Sequence, residues 1–142
     1  MSTDPGPGDT LPSAGTAVLE QAFDGDSLYA LRAAVAAHAA QAGLTRQRVY
    51  DVVTAAHELA ANAIRHGAGH GRLRLWADAR VLRCQVSDDG PDGQGTPGPD
   101  AAWNSGHGHG LWIVDRVADH VTVDRDGGGT TVIVTFTISR SG

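Results

Sequence analysis

Glu58 and Asn62 stand four residues apart in a stretch whose pattern predicts a helix, so they project from one side of it, with Arg65 close to the same line. An amide oxygen at Asn62 can enter the coordination shell of Mg²⁺, which takes oxygen ligands and binds together with substrate phosphates. A carboxylate one turn earlier, at Glu58, can accept a proton from water or from an attacking hydroxyl. On the helical wheel this line falls opposite the apolar stripe, so an ordinary solvated face fits the same spacing. A second candidate is Val86-Ser87-Asp88-Asp89-Gly90, which ends a predicted strand on a carboxylate followed by a glycine. Asp88 there can accept a hydrogen bond from an exocyclic amine, the group that distinguishes adenine from guanine at that edge; an acidic turn has the same composition. The third is Gly106-His107-Gly108-His109-Gly110-Leu111, immediately before a predicted helix. Glycines there let the backbone approach phosphates, and free N–H groups at a helix N-terminus favour anions.

Other chemistries are excluded by what is missing. All 11 basic residues are arginine. Without lysine there is no P-loop, whose lysine reaches the terminal phosphates, and no Schiff-base chemistry. A net charge of −5 argues against a general nucleic-acid binder, so no direct nucleic-acid contact is expected. His66 and His70, and His107 and His109, lie close in sequence, but no cysteine or carboxylate cluster completes a zinc set. His66 suits a helix C-terminus through the dipole. The one cysteine, Cys84, cannot staple a fold. No window is apolar enough to span a bilayer and Met1–Gly15 lacks a signal-peptide pattern, so a soluble cytoplasmic protein without membrane contact is expected.

The elements that must position these residues follow from periodicity. Residues 1–16, punctuated by Pro5, Gly6, Pro7, Gly8 and Pro12, read as a disordered tail, and 139–142 as a short C-terminal one. Ala17–Phe23 reads as a strand. A helix capped by Asp26 or Ser27 runs to about Gln41 and stops at Gly43. A second runs from Thr45 or Arg46 to His66, ends at Gly67, and carries Val49, Val52, Val53, Ala56, Leu59, Ala60 and Ala63 on its apolar face. Strands are predicted at Arg72–Asp78 and Val81–Ser87, the latter with Leu82, Cys84 and Val86 on one face. The stretch from Asp88 to Gly110 is crowded with Gly, Pro and Asp and reads as a functional loop or lid, about 89–110. A helix from Leu111 to Asp119 and the strands Val121–Arg125 and Thr130–Ile138, joined through Asp126-Gly127, close the chain. This order predicts an α/β sandwich of the α+β kind: one mixed, mainly antiparallel sheet covered on one face by about three helices.

His57-Glu58-Leu59-Ala60-Ala61-Asn62-Ala63-Ile64-Arg65-His66-Gly67 resembles the asparagine box of the GHKL ATPase superfamily shared by gyrase, the heat-shock chaperone ATPases, histidine kinases and MutL. Asp88-Asp89-Gly90-Pro91-Asp92 resembles its first glycine box, Gly108-His109-Gly110-Leu111 its second, and Gly129-Thr130-Thr131 its terminal glycine–threonine segment. The motifs occur in the family's order over roughly residues 17–138. The short chain and Gly110-Leu111-Trp112-Ile113-Val114 are most similar to single-domain anti-sigma-factor serine/threonine kinases. The resemblance implies an ATP-binding domain at 17–138, with ATP and Mg²⁺ between the helices and a flexible lid. It implies Asn62 on Mg²⁺, Glu58 as catalytic base, Asp88 on the adenine amine with Thr130 nearby, and Gly90, Gly106, Gly108, Gly110 and Leu111 shaping pocket and lid, with Arg65 as a further nucleotide contact. It also implies a sigma factor and a small antagonist protein as partners, phosphorylation of a serine on the antagonist, and a homodimer.

The sequence departs from that pattern in three places. Asp92 replaces the last glycine of the first box, Ala61 supplies no hydroxyl where some relatives carry threonine, and Asp88–Asp115 contains no arginine to stabilise charge on a transferred phosphate. His107 or His109, when protonated, and Arg65 are the substitutes in view. These departures define the alternative to a kinase: a nucleotide-gated partner-binding protein with little or no phosphoryl transfer. A detached histidine-kinase catalytic domain is a third reading.

Overall fold

The computed structural model of the protein describes residues 18–89, 108–126 and 129–138. The elements follow the order β1 (Leu19–Asp24), α1 (Leu28–Gln41), α2 (Arg46–His66), β2 (His70–Ala77), β3 (Val81–Asp88), α3 (Gly108–Val117), β4 (His120–Asp126) and β5 (Gly129–Thr137). The expected tails at 1–16 and 139–142 and nearly all of the expected lid lie outside the described residues. The strands form a five-stranded sheet in the order β1-β2-β3-β5-β4, and every pairing is antiparallel. The architecture is thus the expected α+β sandwich.

Alternation along the strands decides which side the helices cover. The register aligns Leu73 with Val86 and Leu75 with Cys84 across β2 and β3, then Val86 with Val132, Cys84 with Val134 and Leu82 with Phe136 across β3 and β5. Those side chains are all buried, together with Leu31, Val35 and Ala39 of α1, Val52, Ala56, Leu59 and Ala63 of α2, and Val114 of α3. Full burial of one such Leu or Phe contributes about 1.5–3 kcal/mol, so this layer is where the fold's stability resides. The opposite face carries the alternate residues, Arg72, Arg74, Arg83, Gln85, Ser87 and Thr131 among them, and Arg74 lies over the Trp76 ring at 5.0 Å.

Helix α2 starts where Thr45 accepts a hydrogen bond from the Arg48 N–H at 3.1 Å, a side-chain N-cap. Ser27 holds the N-cap position of α1 but makes no capping bond. Its hydroxyl instead turns back to Asp24, receiving the Asp24 N–H at 2.9 Å, so it closes the turn from β1 rather than the helix. Gly43 follows the end of α1 at φ +102°, a conformation that suits only glycine, which is why the helix stops there.

Some boundaries differ from the expected ones. β2 begins at His70, two residues early, because His70 and Gly71 pair with Asp24 and Phe23 of β1 before the pairing with β3 starts at Arg72. α3 begins at Gly108 rather than Leu111. A first helical turn needs no inward N–H bonds, so Gly108 and Gly110 weaken it little and are accommodated in it. Gly67 closes α2 at φ −109°, not in a left-handed conformation.

At the other end of α2, Arg48 joins three elements. Its guanidinium pairs with Asp51 and with Asp119, each at 2.9 Å, donates to the Val117 carbonyl at the end of α3 at 3.1 Å, and stacks over Phe136 at 5.1 Å. Asp119 also accepts the Thr137 N–H at 2.7 Å. That backbone hydrogen bond, helped by Arg48, holds its carboxyl below the ordinary value of 3.8.

Candidate functional site

Asn62 is the one buried polar residue among the described residues, at 9% exposure. Its Nδ2 is buried without a hydrogen-bond partner. Asn62 therefore does not lie opposite the apolar stripe, as the helical wheel suggested; it lies on the stripe's flank. The reason is tertiary. Arg48, Asp51, Ala55, Glu58 and Asn62 recur at steps of three and four and form one line along α2. Arg48 at the start of that line reaches Val117 and Asp119, so the line faces α3, whose packing widens the buried arc of α2. Ala55 is fully buried, Glu58 is half-buried on the same line, and Arg65, in the last turn, is exposed.

Asp88 belongs to the same end of α2. A Cβ placed on Gly67 would stand 2.8 Å from Asp88 Oδ1 and 2.7 Å from the Ala63 carbonyl, so the carboxylate rests against the backbone that ends α2. Glycine is required there for close approach. With Arg48 over Phe136 and Gly67 against Asp88, α2 runs antiparallel to β5. Thr130 pairs directly with Asp88 in the register and shares its face, and Arg125 of β4 pairs with Thr130 in turn. The row Asp88–Thr130–Arg125 thus extends the helix-covered face of the sheet to its end.

The structure brings Glu58, Asn62, Asp88 and Thr130 to one end of the helix layer. Gly108, Gly110 and Leu111 contribute backbone to the first turn of α3, which packs on the same flank of α2 and on β4. Gly90 and Gly106 lie outside the described residues, as does Asp92. Arg125 is absent from every motif; the alternation Val121–Val123–Arg125 is the signal that places it with the helix-facing side. Among the described residues no three His, Cys, Asp or Glu side chains group as a metal centre, and burial pushes the Cys84 thiol up to about 12, so it is no nucleophile at neutral pH. A polar groove of about 750 Å³, lined by His70, Arg72, Ser87, Asp124 and Thr131 and reaching Asp88 at its edge, opens on the opposite face of the sheet; neither Glu58 nor Asn62 lines it.

The residues present fit a magnesium–nucleotide ligand. An amide with one polar atom buried and unpaired is costly unless something binds it, and rotating the amide to exchange nitrogen and oxygen still leaves one of them facing inward. An amide oxygen in that position is a hard ligand for Mg²⁺, with Glu58 one turn away.

The antiparallel sheet, its single helix layer and the site at the end of that layer define a two-layer sandwich of the histidine-kinase ATPase kind. A family model described as the histidine kinase-like ATPase domain matches residues 22–136, and the chain belongs to that family. Similar solved structures include three that show the range of relatives. One contains the RsbU and RsbW domains of Rv1364c from Mycobacterium tuberculosis, 21% identical over 86% of this chain with a TM-score of 0.65. Another is the Acinetobacter baumannii histidine kinase AdeS, 18% identical over 90% of this chain and 72% of its own, with a TM-score of 0.52. The third is the SiaB–SiaC complex of Pseudomonas aeruginosa, 17% identical over 89% of this chain and 94% of its own, with a TM-score of 0.51. This chain spans 32% of the length of the Mycobacterium tuberculosis chain. At these identities the likeness is one of fold. No protein with a curated description matches the sequence. Among the described residues no helix is long and apolar enough to cross a membrane.

Proposed function

We propose that the protein is an ATP-dependent serine/threonine protein kinase of the anti-sigma-factor type, a cytoplasmic homodimer that binds a sigma factor and phosphorylates a small antagonist protein. The observation that carries the ATP site is the buried, unpartnered Nδ2 of Asn62, one turn from Glu58 and at the same end of α2 as Asp88. Family membership supports the nucleotide, and likeness to the Mycobacterium tuberculosis structure, which holds an RsbW domain beside an RsbU domain, supports the regulatory class.

On this reading Asn62 holds Mg²⁺, which when bound neutralises phosphate charge. Asp88 accepts the adenine amine, with Thr130 beside it on the same row. Glu58 takes the proton from the attacking serine hydroxyl; pure binding would need the amide but not this carboxylate. Arg65 is a further nucleotide contact, and Gly90, Gly106, Gly108, Gly110 and Leu111 are assigned from the sequence motifs to shaping the pocket and lid.

The test is to incubate the protein with Mg–ATP and candidate antagonists and to read serine phosphate by mass spectrometry. Glu58→Ala is expected to abolish transfer and leave nucleotide affinity within about threefold of wild type. Absence of transfer by wild-type protein that demonstrably binds ATP would rule out the kinase.

A second reading is favoured by the lack of arginine between Asp88 and Asp115: a nucleotide-gated binding protein with little turnover. It requires partner affinity to differ between ATP and ADP and to lose that difference in Asn62→Ala. Equal affinity in all three cases excludes it.

A further inference from the structure

The nucleotide reading leaves the phosphates without an arginine from the segment that precedes α3, and the fold places one nearby from another direction. Arg125 lies in register with Thr130, which lies in register with Asp88, so all three belong to one cross-strand row on the helix-covered face. The Nε of Arg125 is buried and has no hydrogen-bond partner. A guanidinium stays charged at any physiological pH, and a dry, unpaired donor on it is costly.

One other arginine shares this condition, and the contrast is informative. Arg74 also has a buried Nε without an aligned hydrogen bond, but Glu20 Oε2 stands 3.1 Å from it and the Trp76 ring lies beneath its guanidinium. Its charge is answered within the fold. Arg125 belongs to none of the ion pairs or ring contacts among the described residues. Its neighbour Asp124 alternates to the opposite face, where it lines the polar groove.

Position sets the chemistry of the missing partner. Two strand spacings, about 10 Å, separate the backbone of Arg125 from that of Asp88. An adenine held by its amine at Asp88 and lying along this row would span about that width with base and ribose before its phosphates. The N-terminal turn of α3, a helix that packs on α2, adds free N–H groups.

We propose that Arg125 is a phosphate-binding residue of the nucleotide site, supplying from β4 the cation absent from Asp88–Asp115. This rests on the ATP-binding reading but not on kinase turnover.

Arg125→Met, which keeps the length of the stem and removes the charge, tests it by isothermal titration with Mg–ATP, Mg–ADP and adenosine, alongside ligand-free melting. The affinities for ATP and ADP are expected to fall about tenfold or more, as for a lost charge-assisted hydrogen bond, while adenosine affinity stays within about twofold. The ligand-free melting temperature is expected to hold or rise, because an unpaired buried donor has been removed. A residue with a merely structural role gives the reverse, lower ligand-free stability with unchanged affinities, and that result overturns the proposal. An equal loss for ATP and adenosine also overturns it, since the contact would then be to the base. Arg125→Lys, which keeps the charge without the planar fork, is expected to show a smaller ATP loss and serves if the methionine variant does not fold. If wild-type protein binds no nucleotide, the ATP-binding reading fails and this proposal with it; if wild type binds and Arg125→Met and Arg125→Lys bind all three ligands equally well, this proposal alone fails.

Discussion

Asn62, proposed above as the metal ligand, shows how such a residue can be a defect of the ligand-free fold. Its buried Nδ2 has no partner, so the folded state bears a desolvation cost that a hydrophobic side chain of similar volume would not. Asn62→Leu is therefore expected to raise ligand-free stability by about 1 kcal/mol in urea denaturation and to abolish Mg–ATP binding by titration calorimetry. A variant that loses stability instead would mean that the amide has a structural partner. Gly67 has the opposite character. A Cβ there would meet the Asp88 carboxylate and the Ala63 carbonyl below 3.0 Å, and one of them would have to move. Gly67→Ala is expected to cost about 1–3 kcal/mol by denaturant titration and to weaken ATP binding through displacement of Asp88.

At the scale of elements, α3 matters because it turns the polar flank of α2 into the wall of a site. It is anchored at its far end, where Arg48 accommodates the Val117 carbonyl and the Asp119 carboxylate together. Asp119 has a carboxyl held below its ordinary value, so its charge stabilises the fold at neutral pH. Because the shift is downward, that stabilisation is complete above the unfolded value near 3.8 and is lost as pH falls through the lower folded value. Asp119→Asn is accordingly expected to melt below wild type at pH 7, with the gap narrowing once the pH drops below the ordinary carboxylate range. Asp119 is partly exposed, so the effect is small, and a gap that persists unchanged into acid would attribute it to shape and not to charge.

For the whole molecule, one core joins the sheet to all three described helices, so a ligand gripping α2 and the sheet together stabilises the fold as a unit. Mg–ATP at about a hundred times its dissociation constant adds about 2.7 kcal/mol. At roughly 3 °C per kcal/mol for a chain of this size, that is a rise of roughly 8 °C in differential scanning fluorimetry. The same addition to Asn62→Leu is expected to leave the melting temperature unchanged. A rise of equal size in both proteins would remove Asn62 from the site.

Strand and helix positions were legible in the sequence because periodicity is local: the alternation Leu82–Cys84–Val86 and the stripe through Val52, Ala56, Leu59 and Ala63 each state which side faces the core. The motif order over Glu58, Asn62, Asp88 and Thr130 was likewise readable, since each motif depends on short spacing. The burial of Asn62 was not, because α2 seen alone has one apolar stripe, and only α3 docking beside Arg48 extends the buried arc to the Glu58–Asn62 line. Arg125 escaped for the same reason. Its side of β4 follows from alternation, but its place beside Thr130 and Asp88 depends on a register between strands distant in the chain. The sequence by itself determined the elements and the type of chemistry they can carry. Which polar groups are dry, and which end of the helix layer gathers them, was decided by long-range packing, where no local spacing carries the information.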